Sequence, residues 1–154
     1  MTRDGWPNPA LQADVPALEC PTRVVDWLEN LPSHVLDIAS KIAEHGGGIW
    51  IVGGAVRDAC LGLEVHDIDF AVSLEPQQMM EIFPDSLPTG IEYGTVSLRG
   101  GEQFYEATTL RTESDYEDGR RPEQVHWGVS LSEDLERRDF TINAMAIDLS
   151  LIHI

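Results

Sequence analysis

The chain has 154 residues, 42% hydrophobic and 24% charged, which is one domain's worth of ordinary globular sequence. No apolar run approaches the ~20 residues of a membrane span, Met1 to Pro7 lacks the apolar core of a signal peptide, and Cys20 and Cys60 allow neither a disulfide framework nor a zinc spacing, so a reducing cytoplasm is expected. A formal net charge of −17 argues against a broad basic surface for phosphate backbones. Either a polymer-binding surface lies in another domain or chain, or the substrate is not a nucleic acid.

Residues 1 to about 20 carry Pro7, Pro9, Pro16 and Pro21 with little periodicity and read as a mobile leader. A short helix is predicted from Thr22 to Asn30. A clearer amphipathic one follows Ser33, with Val35, Leu36, Ile38, Ala39, Ile42 and Ala43 at helical spacing and Gly46-Gly47-Gly48 as its stop. Ile49-Trp50-Ile51-Val52 is a continuous apolar run that suits a buried strand. Gly53-Gly54 breaks it, and Ala55 to Leu61 reads as a helix ended by Gly62.

Asp67 to Ser73 alternates polar and apolar as a second strand, and Glu75 to Phe83 reads as a helix with Pro76 in its first turn. Thr95 to Arg99 and Gln103 to Leu110, separated by Gly100-Gly101, give a hairpin pattern. Arg111 to Trp127 is polar and without period, a flexible loop. Leu131 to Ala144 reads as a helix and Met145 to Leu149 as a last short strand. The expected fold is α/β (α+β): a small mixed β-sheet with flanking helices. Residues 1–32 form the leader, 33–148 the domain, and 149–154 a truncated or non-native tail.

Three segments carry chemistry. On a strand, side chains two apart share a face, so Asp67 and Asp69 would present carboxylates about 7 Å apart along the backbone. Hard oxygen donors suit Mg²⁺, which also takes phosphate oxygens, and two such ions can hold an attacking hydroxyl and a leaving pyrophosphate. By itself an Asp-x-Asp pair fits a solvated strand edge better. Gly53-Gly54 stands between a buried strand and a helix start, where unpaired N–H groups and the helix dipole favour anions and no Cβ blocks approach. Arg57, a turn further on, can fork onto a polyphosphate, or simply pair with Asp58 or Glu64. The third segment runs Glu133-Asp134-Leu135-Glu136-Arg137-Arg138-Asp139-Phe140-Thr141-Ile142-Asn143-Ala144-Met145. Its Arg-Arg-Asp could hold triphosphate and ribose, with Asp139 and Asn143 one helical turn apart. A solvated charged helix is the plainer account.

The remaining basic residues are few. Arg57, Arg99, Arg111, Arg120, Arg121, Arg137 and Arg138 stand out, with Lys41 as the only lysine. That balance suits forked, specific phosphate contacts, although genomic base composition can produce the same bias. His34, His45, His66, His126 and His153 are scattered and gain no role, and Trp50 reads as core.

Taken together, Gly53-Gly54-Ala55-Val56-Arg57-Asp58, Asp67-Ile68-Asp69-Phe70 and Arg137-Arg138-Asp139-Phe140-Thr141-Ile142-Asn143-Ala144-Met145 resemble the head domain of class II tRNA nucleotidyltransferases and bacterial poly(A) polymerases. Tyr116-Glu117-Asp118-Gly119-Arg120-Arg121-Pro122 is similar to that family's flexible loop. The resemblance covers roughly Ile49 to Asp148 and implies a nucleotidyltransferase (polymerase-beta-like) head. It further implies that Asp67 and Asp69 hold catalytic Mg²⁺, and that Gly53, Gly54 and Arg57 bind triphosphate. Arg138 would contact the incoming nucleotide, with Asp139 and Asn143 at the ribose. Glu106 falls where the superfamily often places a third carboxylate, and equally fits a surface residue. The loop would act as a lid.

The implied reaction adds CMP and AMP from CTP and ATP to the tRNA 3′ end, with poly(A), CC-only or A-only addition as the near alternatives. A nucleotide-binding module without turnover, or a small-molecule nucleotidyltransferase, stands further off. The family continues into neck, body and tail domains that grip tRNA. That would explain the acidity of this chain.

Overall fold

Ile49–Val52 forms β1, and all four of its side chains are buried. A strand so apolar on both faces needs cover on both, and the rest of the molecule supplies it. The computed structural model describes residues 19–113, 125–127, 130–138 and 141–149. Helices α1 (Thr22–Glu29), α2 (Ser33–Glu44), α3 (Gly54–Leu61) and α4 (Pro76–Ile82) surround strands β2 (Asp69–Val72), β3 (Leu87–Gly90), β4 (Thr95–Gly100) and β5 (Gln103–Thr109). After them come β6 (Arg111–Glu113), β7 (Val125–Trp127), α5 (Leu131–Glu136) and β8 (Ala146–Asp148).

Six strands make one sheet in the order β3-β4-β5-β2-β1-β8, and β6 and β7 make a separate two-stranded ribbon. β2 pairs antiparallel with β1 and parallel with β5, while β4 pairs antiparallel with β5. The expected small mixed sheet with flanking helices is therefore the observed fold. Ile49, Ile51, Phe70, Val72, Leu98, Tyr105 and Ala107 face one core, shared with α1 to α4. Trp50, Val52 and Ala71 face the other way, under Leu131 and Leu135 of α5. Each core leucine or isoleucine withdrawn from water contributes about 1.5–3 kcal/mol against chain entropy.

Several elements differ from the sequence pattern. The second strand starts at Asp69, not Asp67. Its ladder with β1 begins with Val52 opposite Asp69, and the next residue of β1's chain, Gly53, turns away at φ 74, so 67 and 68 have no partner on the β1 side. The helix over 131–144 stops at Glu136, and Thr141–Asn143 is a separate 3₁₀ turn. Thr141 and Ile142 are β-branched and support a continued helix poorly. Residues 111–113 and 125–127 pair as a ribbon, Arg111 opposite Trp127, where the pattern predicts loop throughout. The lid segment Tyr116 to Pro122 lies outside the described residues. β3 is an edge strand of Leu-Pro-Thr-Gly, too short and polar to show a period, with Pro88 in the position sheets tolerate.

α1 buries Val24 and Leu28 in the main core, and Leu149, just past β8, is 1% exposed there. Thr22 and Ser33 open their helices without a side-chain cap. Gly62 ends α3 in the left-handed conformation its sequence position suggested. Among the described residues no helix is long and apolar enough to cross a membrane.

Candidate functional site

The site begins at the end of β1. Gly53 has φ 74 and ψ −140, a conformation that side chains with a Cβ rarely adopt, and it delivers the chain directly into α3 at Gly54. No side chain caps this helix, so its first N–H groups remain available. Two arginines look onto the bare turn. A Cβ built on Gly54 would lie 3.3 Å from Arg57 Nη2, and one on Gly53 would lie 3.9 Å from Arg138 Nη1.

Arg57 is held from two sides. Its Nε donates to Asp58 Oδ1 at 2.8 Å, and its Nη1 donates to Asn143 Oδ1 at 3.3 Å. The pairing with Asp58 foreseen as the plainer account is thus present, and so is the contact to Asn143. Asn143 meets Arg57 from the 3₁₀ turn rather than from a helix face one turn beyond Asp139. Asp139 itself lies outside the described residues.

The carboxylates come together despite the shortened strand. Asp67, from the loop, and Asp69, from the first position of β2, both line an open cleft of about 420 Å³ with His66, Gln103, Phe104 and Glu106. Parallel pairing of Phe70 with Ala107 sets Asp69 beside Glu106 on the face opposite the main core. The proton affinity of Asp69 is raised, first by burial of its carboxyl, then by the charges of Glu106 and Asp67, while Arg138 opposes the shift. Mutually repelling carboxylates with hard oxygen donors match a divalent cation such as Mg²⁺, which would relieve the repulsion. Among the described residues no three His, Cys, Asp or Glu side chains form a gathered ligand set. The fit therefore rests on the carboxylate pair, with Glu106 beside it.

Arg138 reaches the turn from α5, and the residue that holds it there is Asp134. This aspartate is 1% exposed. Its Oδ1 accepts from Arg137 Nε and Nη2 at 3.2 and 2.9 Å, and its Oδ2 accepts from Arg138 Nη2 at 3.1 Å. Two guanidinium groups share one buried carboxylate, and the charge of Arg138 reaches Asp69. Arg138 Nε is buried with no hydrogen-bond partner among the described residues. Ser130 caps the helix by accepting from Glu133 N–H at 3.3 Å. Sequence reasoning passed over Asp134 as one acid of a solvated helix. The available signal was its spacing of three and four from Arg137 and Arg138, and His66 gave no signal at all.

The structure therefore lines one cleft with Asp67, Asp69 and Glu106, ends β1 opposite Asp69 so that Gly53 and Gly54 follow directly, and sets Arg138 and the Asn143-bonded Arg57 against that turn. The sequence matches the family described as the poly(A) polymerase head domain over residues 49–153, which includes every one of them. The chain belongs to that family. It is 48% identical over 129 residues to a CCA-adding enzyme of Lactococcus lactis subsp. lactis (strain IL1403), covering 80% of this chain and 32% of the relative. A CCA-adding enzyme of Streptococcus suis (strain 05ZYH33) is 51% identical over 124 residues, with 79% and 31% covered. The fold is similar to the CCA-adding enzyme of Bacillus stearothermophilus solved in complex with CTP, with a TM-score of 0.66, 39% identity, and coverage of 76% of this chain and 27% of that one. It is also similar to a tRNA nucleotidyltransferase complexed with a primer tRNA and an incoming ATP analog, with a TM-score of 0.56, 38% identity, and coverage of 74% and 31%. The chain thus spans about a third of the length of these curated relatives.

Proposed function

We propose that this chain is the catalytic head of a tRNA nucleotidyltransferase that adds CMP and AMP from CTP and ATP to the tRNA 3′ end. The observation that carries the reading is the nearness of the Asp67–Asp69 pair to the bare Gly53-Gly54 turn, which leaves β1 opposite Asp69 and is faced by Arg57 and Arg138. In the transfer, the terminal ribose hydroxyl oxygen bonds to the α-phosphorus of the nucleotide. The bond from that phosphorus to the bridging oxygen breaks, pyrophosphate leaves, and the hydroxyl proton passes to solvent.

Gly53 and Gly54 offer N–H groups to the triphosphate, and Arg57 and Arg138 neutralise it as negative charge gathers on the leaving group. Asn143 keeps Arg57 turned toward the phosphates, and the ribose is assigned to Asn143 and Asp139. Asp67 and Asp69 would hold Mg²⁺, with Glu106 as the third carboxylate; bound there, the ion lowers the pKa of the attacking hydroxyl and stabilises pyrophosphate. The protein's own work is positioning and charge neutralisation.

Similarity to enzymes named for CCA addition favours that reaction over poly(A), CC-only or A-only addition. The functional unit is taken to run from Thr22 to Leu149, because α1 and Leu149 share its core. Its substrates make the cytoplasm its workplace. The tRNA-gripping surface is assigned to the part of the relatives' length that this chain does not match. Incubation with labelled CTP or ATP, Mg²⁺ and tRNA lacking its CCA end tests the reading. Label on the tRNA supports transfer, and nucleotide binding without label would reduce this chain to a binding module.

A further inference from the structure

The sheet order gives the cleft two different sides. β1, carrying the diglycine turn at its end, lies on one side of β2 and its carboxylate, and β5 and then β4 lie on the other. Neighbouring strands are about 4.8 Å apart, so the sequence of strands maps directly onto distance across the site. If triphosphate and departing pyrophosphate occupy the β1 side, an in-line attack requires the incoming hydroxyl from the β5 side.

Leu98 and Tyr105 pair across β4 and β5 with both side chains in the main core, so the next pair, Arg99 opposite Phe104, projects from the other face. Phe104 is 48% exposed, although it is a large aromatic. It shares its face with Glu106, two residues further along the strand, and with it lines the same cleft as Asp67 and Asp69. Arg99 is exposed beside it, donates its Nε to Gly101 O at 3.1 Å, and forms no ion pair among the described residues. An arginine without an ion-pair partner among the described residues thus stands next to an exposed aromatic ring on a chain of net charge −17. α5 covers the neighbouring part of this face over Trp50, Val52 and Ala71, and Phe104 is not part of that buried cluster. An aromatic platform flanked by a cation is how proteins hold single-stranded nucleic acid, the ring stacking on a base and the guanidinium following the backbone.

From this placement, and resting on the transfer reading above, we infer that Phe104 and Arg99 form the acceptor subsite. The last base of a single-stranded RNA 3′ end stacks on Phe104, and Arg99 meets the phosphate behind it. The terminal hydroxyl is thereby presented to the carboxylates from the side opposite the triphosphate.

A single-stranded RNA bearing 4-thiouridine as its 3′-terminal nucleotide, irradiated with this chain, CTP and Mg²⁺, tests the inference. The cross-link is expected within residues 99–106. Phe104→Leu keeps apolar bulk but loses the stacking face, and is expected to weaken RNA binding about tenfold. CTP affinity and melting temperature should stay unchanged, and Phe104→Trp should restore RNA binding. A cross-link mapped elsewhere, no cross-link while CTP is bound, or wild-type RNA affinity in Phe104→Leu overturns the subsite and leaves the nucleotide reading standing. Failure of the wild-type chain to bind CTP at all removes both.

Discussion

The two halves that meet over the cleft are held in different ways. On the β1–β2 side, backbone geometry sets the site: a positive-φ glycine ends one strand, the ladder ends opposite it at Asp69, and the loop before that ladder brings in Asp67. On the α5 side, side chains set it. A six-residue helix too short to persist alone presents Arg137 and Arg138 because one buried aspartate binds both. The first half is intolerant of an added Cβ and indifferent to most neighbours. The second depends on a single carboxylate, whose loss strands two partly buried cations.

Substitutions can break this contrast, beginning with the one expected to do most. Asp67→Ala/Asp69→Ala should lower nucleotide transfer ~10³-fold or more, the several kcal/mol that metal chemistry supplies, while thermal melts remain cooperative. Transfer at the wild-type rate would remove the carboxylates from the chemistry. On the arginine side, Asp134→Ala should destabilise the fold by about 3–5 kcal/mol, since it leaves buried charge uncompensated. Asp134→Asn, which can still accept hydrogen bonds, should cost less stability but raise the Kd for CTP. Denaturant titration against equilibrium binding separates the two effects, and an unchanged Kd in the Asn variant would deny Asp134 its hold on Arg138.

Gly53→Ala should cost about 1–3 kcal/mol of backbone strain at φ 74, ψ −140, and it also narrows the anion cradle. Its signature would be weakened CTP binding with the Asp134 network intact. Gly53→Ala with wild-type stability and affinity would show that the turn can relax, contrary to the backbone half of the contrast.

The smallest effect concerns Asp69 without metal. Its folded-state proton affinity is raised, chiefly by burial and then by Glu106 and Asp67. Between the unfolded aspartate's pKa, about 3.9, and its higher folded value, the native chain binds more protons than the unfolded one. The Asp69 contribution to stability therefore falls as pH rises through that window. Because Asp69 keeps solvent access, the effect is screened. Asp69→Asn should raise the melting temperature slightly at neutral pH in chelator, and the gain should vanish below about pH 4. Magnesium should erase the difference by stabilising the wild-type chain, which melts in matched buffers would read.

Periodic elements were legible because their faces repeat. The run Ile49 to Val52, the helix after Ser33 and the hairpin around Gly100-Gly101 stand where their patterns put them. Elements whose ends depend on a partner were not. Asp67 lost its partner on β1 because the chain beyond Val52 turns away, and the helix after Leu131 ended at Glu136, ahead of the β-branched Thr141 and Ile142. The carboxylates still met, although the alternation argument that first brought them together applies to Asp69 alone.

By itself the sequence determined the chemistry available: a glycine pair after a buried strand, two nearby acids, and an Arg-Arg pair, each a property of residues adjacent in the chain. Only the tertiary structure decided which of these face one another. Asn143 lies 86 residues from Arg57 and bonds to it, and Phe104 shares the cleft of Asp67 only because β5 runs parallel beside β2. Local pattern carries propensity and face, but such pairings follow from strand order and core packing, which no short window of residues contains.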